Sequence, residues 1–401
     1  MPHMSLSARR EYLMRIKKRY LKAPWKKKSS MLNEFCSATG LHRKYVIDCL
    51  SAKRDLDFDA KKPRAKRKIR YGNDVVFFLK KIWEMLDCPC GERLKPILPE
   101  MVRKVRQFHE LDIPDSVADK LVTISHSTID AKLARFKKSM RRRIQGTTRP
   151  GSLLKKQIPI RTSSWEEAEP GFAELDTVAH CGDSAGGSFA ITLNTTDILT
   201  QWGEQETIMG KADRHIVAAI DHIKKRSPVG LRGIDPDNGS EFINWNLYRY
   251  CEERKMQFTR GRPYKKNDNA HIEQKNWTHV RKVYGYARIS SSEVIERMND
   301  LNRNELRLYK NFFQPAIKLV EKKRIGAHGE RIKRIYDIPK TPFARVLLCE
   351  KIPTETKSSL TELYEKLNPA GLRRTIIAKL NAISKLIANQ SKLPEEKNQS
   401  S

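Results

Sequence analysis

The chain is short of acid. Its 47 Asp and Glu face 79 Lys and Arg, a formal net charge of +32 over 401 residues. A surplus of that size points to a polyanionic partner, nucleic acid before membrane; acidic small-molecule substrates alone would not need it. Long apolar runs are also missing. None approaches about 18 residues, so no spanning helix is expected, and the N-terminus lacks the charged-then-apolar pattern of a secretory signal. The location expected is therefore cytoplasmic, of a bacterial, nucleoid-associated kind. The seven cysteines are odd in number and scattered, which excludes a disulfide framework and fits a reducing compartment. Cys88 and Cys90 form a C-x-C with no second Cys or His pair at zinc-ligand spacing, so no zinc site is expected there. A hydrophobic content of 39% is nevertheless enough to fold, and the length fits about two to four domains.

The positive charge is concentrated toward the N-terminus: residues 1–150 hold 37 Lys and Arg against 16 Asp and Glu. Within them Leu32, Phe35 and Cys36, then Leu41, Val46, Ile47 and Leu50, recur at helical spacing around Gly40. A small residue, a glycine four later and a β-branched residue six beyond that meet the packing requirement of a helix-turn-helix, where two helices cross closely. His42, Arg43 and Lys44 open its second helix, where Arg43 and Lys44 are candidate DNA contacts. Residues 1–60 are thus expected to form a helix-turn-helix DNA-binding domain. Residues 61–72, basic and interrupted by Pro63, are expected to form a linker.

A second helical reader is expected over 73–140. Amphipathic helices are expected over 75–86, 98–111 and 116–121, and Ser125 is a candidate N-cap for a helix that buries Ile129, Leu133 and Phe136. Ser127 and Lys132 on that helix are candidate DNA contacts. Arg141, Arg142 and Arg143 open a linker, 141–165, whose composition suits a path along a phosphate backbone.

From Gly171 the texture changes. Residues 172–178, 188–194 and 204–209 alternate like strands, 212–225 is helical, and 231–234 is a short strand that runs into Asp235-Pro236-Asp237-Asn238-Gly239. A helix over 246–254, a strand over 256–259 and a helix over 269–283 complete a βββαβαβα order, which implies a mixed five-stranded sheet with helices on its faces over 166–290. Three acids stand out by position: Asp176 on the first strand, Asp237 just past the fourth, and Glu273 on the last helix, with 35 residues between Asp237 and Glu273. Carboxylates suit Mg²⁺ or Mn²⁺, and two such ions about 3.5–4 Å apart can serve both the attacking and the leaving oxygen at phosphorus.

Three segments carry a family resemblance: Glu174-Leu175-Asp176-Thr177, Asp237-Asn238-Gly239-Ser240-Glu241-Phe242, and the run from Lys266 to Asn276 that contains Asn269-Ala270-His271-Ile272-Glu273. Over 165–290 the chain resembles a retroviral-integrase-type insertion-sequence transposase, with the DDE acid triad of an RNase H-like catalytic core. The resemblance implies that Asp176, Asp237 and Glu273 are the catalytic residues and the ligands of two Mg²⁺ or Mn²⁺ ions, and that Asn238 and Gly239 shape the turn presenting Asp237. Pro236 and the Asn-Gly turn favour Asp237 over Asp235 as the second acid. Glu241 reads as an outward carboxylate or cap, with tuning of the site as the alternative, His271 as structural or DNA-facing, with a ligand role as the alternative, and Asp183, Asp197 and Asp213 as turn or cap residues. Many related enzymes carry a basic residue seven positions after the glutamate; here that position is Val280, followed by Arg281. Lys275 and Arg281 are the candidates for the phosphate contact it would make. Trp277 reads as a core residue, with a base-stacking platform as the alternative.

Beyond the core, 291–314 reads as a connecting helix. Residues 315–352 alternate apolar and basic positions like a small twisted sheet, which in the transposases it resembles is a small β-barrel. Residues 353–401 read as a helical tail whose apolar stripe either docks on the core or joins protomers. The function expected is a DNA transposase acting on double-stranded DNA. It would bind terminal inverted repeats, hydrolyse a phosphodiester to free a 3′-hydroxyl, and use that hydroxyl to attack target DNA. By family logic it acts as a homodimer or higher homo-oligomer on DNA. The alternatives are a nuclease on the same sheet that only hydrolyses, and a non-catalytic DNA-binding regulator.

Overall fold

Gly40 stands at φ +69°, and its N–H closes on the Cys36 carbonyl at 2.8 Å. This left-handed stop ends one helix and turns the chain into the next, as the sequence around Gly40 suggests. In the computed structural model the described residues are 4–51, 70–137, 169–184, 186–237, 239, 241–259, 275–325 and 331–390. They fall into two units, Met1–Ile69 and Arg70–Ser401. In the first, α1 (Leu6–Lys22) starts at Ser5, whose hydroxyl accepts from the Ala8 N–H. Helices α2 (Trp25–Thr39) and α3 (Arg43–Leu50) follow. Leu13 and Ile16 from α1, Leu32 and Phe35 from α2, and Val46, Cys49 and Leu50 from α3 form one small core.

The second unit opens with α4 (Asn73–Met85), α5 (Gly91–Gln107), α6 (Asp115–Thr123) and α7 (His126–Lys137). Ser125 caps α7 as expected, accepting from the Thr128 N–H. These helices do not form a core of their own. Leu79, Trp83 and Leu98 share one apolar cluster with Trp202, Phe312, Phe313, Phe343 and Tyr364, which come from the sheet region and the C-terminal helices. The region expected to form a second helical reader is thus built into the body of this unit.

The sheet consists of β1 (Phe172–Ala179), β2 (Ala190–Asp197), β3 (Gly203–Met209), β4 (Gly233–Pro236) and β5 (Gln257–Phe258), in the order β3-β2-β1-β4-β5. β2 runs antiparallel to β1 and β3, whereas β4 is parallel to β1 and β5. This is the mixed five-stranded sheet expected over 166–290. Helices α8 (Asp213–Arg226) and α9 (Trp245–Glu253) bury Ile216, Ile220 and Leu247 with Leu175, Leu193 and Ile234 of the sheet. The π-helical turn Asn276–Arg281 and its continuation Lys282–Tyr284, together α10, pack with the long α11 (Ser292–Leu301, Asn302–Leu306 and Arg307–Phe313 in one run).

The free edge of β3 is closed by side chains of α11. The Asn311 amide pairs with both the N–H and the C=O of Gly203, and the Asn299 amide does the same at Thr207. Each asparagine supplies the donor and acceptor that a neighbouring strand would, which blocks edge-to-edge pairing.

The small β-barrel expected over 315–352 is instead a two-stranded hairpin, β6 (Leu319–Ile325) with β7 (Arg331–Tyr336), extended by a bridge between Ala316 and Lys340 and followed by α12 (Pro342–Leu348). A barrel needs an apolar interior, and Val320, Ile325 and Tyr336 are exposed. The tail forms α13 (Thr354–Lys366) and α14 (Pro369–Gln390); Ile376 and Ile383 of α14 are buried with Met298, Leu301 and Tyr309, so its stripe docks on the core. Among the described residues, no helix is long and apolar enough to cross a membrane.

Candidate active site

Parallel pairing of β1 and β4 fixes the position of the first two acids. Glu174 is opposite Asp235 and Leu175 opposite Pro236, so Asp176 and Asp237 stand one residue beyond the last β1–β4 pair, Asp176 within β1 and Asp237 just past the end of β4. Side chains two apart on a strand share a face, which makes two rungs of carboxylates: Glu174 with Asp235 beneath, Asp176 with Asp237 above. The lower rung is structural. Glu174 and Asp235 are 1% and 0% exposed, and Asp235 accepts from the Thr259 hydroxyl at 2.8 Å. The upper rung is partly open.

Asp176 is held at both oxygens. Oδ1 accepts from the Thr177 N–H at 2.7 Å and Oδ2 from the side-chain amide of Asn276 on α10. That amide ends a relay in which Gln205 donates to Asn194 at 3.0 Å and Asn194 donates to Asn276 at 2.8 Å. Burial and then the charge of Asp237 push the Asp176 carboxyl up to about 7. Asp237 accepts from the Gly239 N–H at 2.8 Å, and burial raises its carboxyl too. A Cβ on Gly239 would lie 2.8 Å from Glu241 Oε2 and 2.9 Å from Asp237 Oδ1, so this turn accepts only glycine without rearrangement.

Glu241 is not the outward carboxylate expected. It is buried, accepting from Thr177 Oγ1 at 2.8 Å and Lys211 Nζ at 3.0 Å. Burial acts to raise its carboxyl, but its own backbone N–H, Lys211 and Thr177 outweigh that and hold it below the ordinary glutamate value. Asp197 is the turn residue expected, receiving the N–H and hydroxyl of Thr200 and the N–H of Gly171.

Glu273, Asn238 and His271 lie outside the described residues, as do Arg141, Arg142 and Arg143. Among the described residues no group of three Asp, Glu, His or Cys gathers at a metal-binding distance. The donors present still fit a divalent cation: they are hard oxygens, and two neighbouring carboxylates, one lifted by burial and then by the charge of the other, are a defect that a cation between them relieves.

Lys275, expected at a phosphate, is instead 7% exposed and turned inward, donating to the Gln201 carbonyl at 2.5 Å; burial lowers its ammonium to about 7. Arg281 lies over the Tyr286 ring at 4.7 Å and Trp277 is exposed. Lys132 donates to the Tyr71 carbonyl at 2.8 Å, the exposed Ser127 hydroxyl lies 3.2 Å from that of Ser125, and Arg43 is tied to Asn33 and Ser29. Lys44 is exposed. Sequence reading missed Asn276 and Lys211. Asn276 follows Glu273 by three residues, the spacing that puts side chains on one helical face, and this was the available signal.

No family model matches the chain. It is 35% identical over 344 residues to the uncharacterized protein y4rM of Sinorhizobium fredii, a match that covers 85% of this chain and 96% of that protein. Among solved structures, the catalytic core domain of BIV integrase aligns with 48% of this chain and 99% of its own, at 14% identity and a TM-score of 0.28. The extent and identity of the first match place the chain in the same family as y4rM.

Proposed function

We propose that the protein is a DNA transposase that binds the terminal inverted repeats of its element, hydrolyses a phosphodiester there and transfers the freed 3′-end to target DNA. The observation that carries this reading is the placement of Asp176 and Asp237 side by side, one residue beyond the last pair of two parallel strands, with Asp176 raised by burial and then by its neighbour's charge. Glu273, three residues ahead of the asparagine that holds Asp176, is the third acid of the proposal. Asp176, Asp237 and Glu273 would hold two Mg²⁺ or Mn²⁺ ions, which when bound stabilise charge on the attacking and leaving oxygens of an in-line displacement.

The chain's own groups prepare that geometry. Asn276 and the Thr177 N–H fix the two oxygens of Asp176, while Gly239 orients Asp237. Lys211 and the Thr177 hydroxyl hold the neighbouring carboxylate of Glu241, whose charge adds to the rise of both aspartates. Double-stranded DNA is the partner, met by the basic N-terminal region with Arg43, Lys44, Ser127 and the Arg141–Arg143 run as proposed contacts; two copies of the chain would join the two element ends. The test is a strand-transfer assay with pre-cut inverted-repeat ends and Mg²⁺ or Mn²⁺. Joined products support the reading, and cleavage without joining reduces it to a nuclease.

A further inference from the structure

A cavity of about 420 Å³ lies within the second unit, between the turn joining α4 to α5, one face of α10 and the C-terminal end of α11. Among the described residues, five basic side chains line it, Arg93, Lys275, His279, Lys282 and Lys310, against one carboxylate, Asp87. Asp87 is already engaged, by Lys282 at 2.7 Å and Arg373 at 3.3 Å. Among the described residues no carboxylate comes within ion-pair distance of Arg93, Lys275 or Lys310; Asp197 and Glu174 act on Lys275, and Asp87 on Lys310, only from farther away. The two lysines are 7% and 6% exposed. Each ammonium gives one hydrogen bond to a backbone carbonyl, Lys275 to Gln201 and Lys310 to Thr278 at 3.0 Å, which leaves further N–H donors. Buried cations without a partnered anion are costly, and the same residues are what a bound anion needs.

We infer that this cavity is a binding site for a phosphate group, gripped by Arg93, Lys275 and Lys310. Among the described residues, the imidazole of His279 is the one aromatic ring on the walls on which a nucleobase could stack, so the site fits phosphate or pyrophosphate rather than a whole nucleotide. His279 enters as a neutral ring, its Nδ1 2.8 Å from the Thr278 hydroxyl, since burial and then Lys310 hold its pKa well below the ordinary histidine value. Thr278 belongs to the π-helical turn of α10, so the anion's partner Lys310 also grips the backbone of the helix that holds Asp176 through Asn276. The inference rests on the cavity and its cations, and it stands or falls separately from the transposase reading.

The test titrates the full chain with inorganic phosphate and with pyrophosphate, at an ionic strength held constant with chloride. Melting temperature and calorimetric affinity are read for the wild type, Arg93→Gln and Lys310→Met. Both anions are expected to stabilise the wild type, with affinity at least about tenfold weaker in each variant. Without phosphate, Lys310→Met is expected to melt no lower than the wild type, because it removes an unpartnered buried charge. Arg93 is half-buried, so Arg93→Gln keeps the test valid should Lys310→Met fold poorly. Duplex DNA added to the loaded protein separates the two sources of phosphate: displacement of the anion assigns the cavity to a DNA phosphate, and co-occupancy assigns it to a free anion. Equal responses in the wild type and both variants, or no response to either anion, overturns the site.

Discussion

Asn276 donates its side-chain amide to Oδ2 of Asp176, one hundred residues earlier in the chain. The bond ties the helix that follows Glu273 to the first acid of the site. Asn276→Leu removes the donor and leaves a buried relay from Gln205 and Asn194 without its last acceptor. Single-turnover cleavage of a duplex substrate is expected to slow on the order of 10- to 100-fold, from the loss of a hydrogen bond to a charged group. Circular dichroism and melting of the same variant separate this effect from unfolding.

The two aspartates flanking Pro236 are expected to fail in opposite ways. Asp235 is fully buried and bonded to Thr259, so Asp235→Ala should cost about 1–3 kcal/mol of stability, read by denaturant or thermal melting. Asp237→Ala should leave melting at or above that of the wild type while abolishing cleavage.

The raised carboxyl of Asp176 has a sign that can be worked out. Its folded value, about 7, lies above the ordinary 3.8, so the native state binds this proton more tightly than the unfolded chain. The stability this contributes is full below the ordinary value and is lost as pH rises through about 7. In the absence of divalent ions, Asp176→Asn should therefore melt higher than the wild type at about pH 8, by on the order of 2 °C for each kcal/mol relieved, and the gap should close as pH falls toward 4. Divalent-ion affinity of the wild type, measured by calorimetry, should weaken over the same interval as the proton competes.

Lys44 is an exposed cation on the first helical unit. If it meets a DNA phosphate, Lys44→Ala should weaken duplex binding alike for all sequences and reduce the slope of log affinity against log salt by about 1. Fluorescence anisotropy over a salt series reads both quantities.

Much of the sheet is legible in the sequence, because β1, β2 and β3 alternate and are bounded by turn residues. The end of β4 is less so: Pro236 reads as the start of a turn, yet it closes the strand. It is tolerated because β5 pairs only with Gly233 and Ile234, so the N–H that proline lacks is not needed on that side. The acids Asp176 and Asp237 are legible through motif and spacing, whereas the relay behind Asp176 is not. Asn194 and Gln205 lie on strands whose alternation says which face they share but not what crosses over them. The docking of α4–α7 was hidden for a similar reason: an amphipathic stripe shows that a helix is covered, not that Phe312 and Tyr364 cover it. The hairpin at β6 and β7 carries the period of a sheet, and the exposure of its apolar residues, which decides against a barrel, is a tertiary fact.

The account rests on Asp176 and Asp237 acting together with divalent ions on a phosphodiester. Its most direct measurement is nicking at an inverted-repeat end, with and without Mg²⁺ or Mn²⁺, by the wild type, Asp176→Asn and Asp237→Asn at matched DNA occupancy. Cleavage is expected to require the ion and to fall by at least about 10³-fold in either variant, with duplex binding retained. Ion-dependent nicking that persists at wild-type rate in Asp237→Asn would contradict the account.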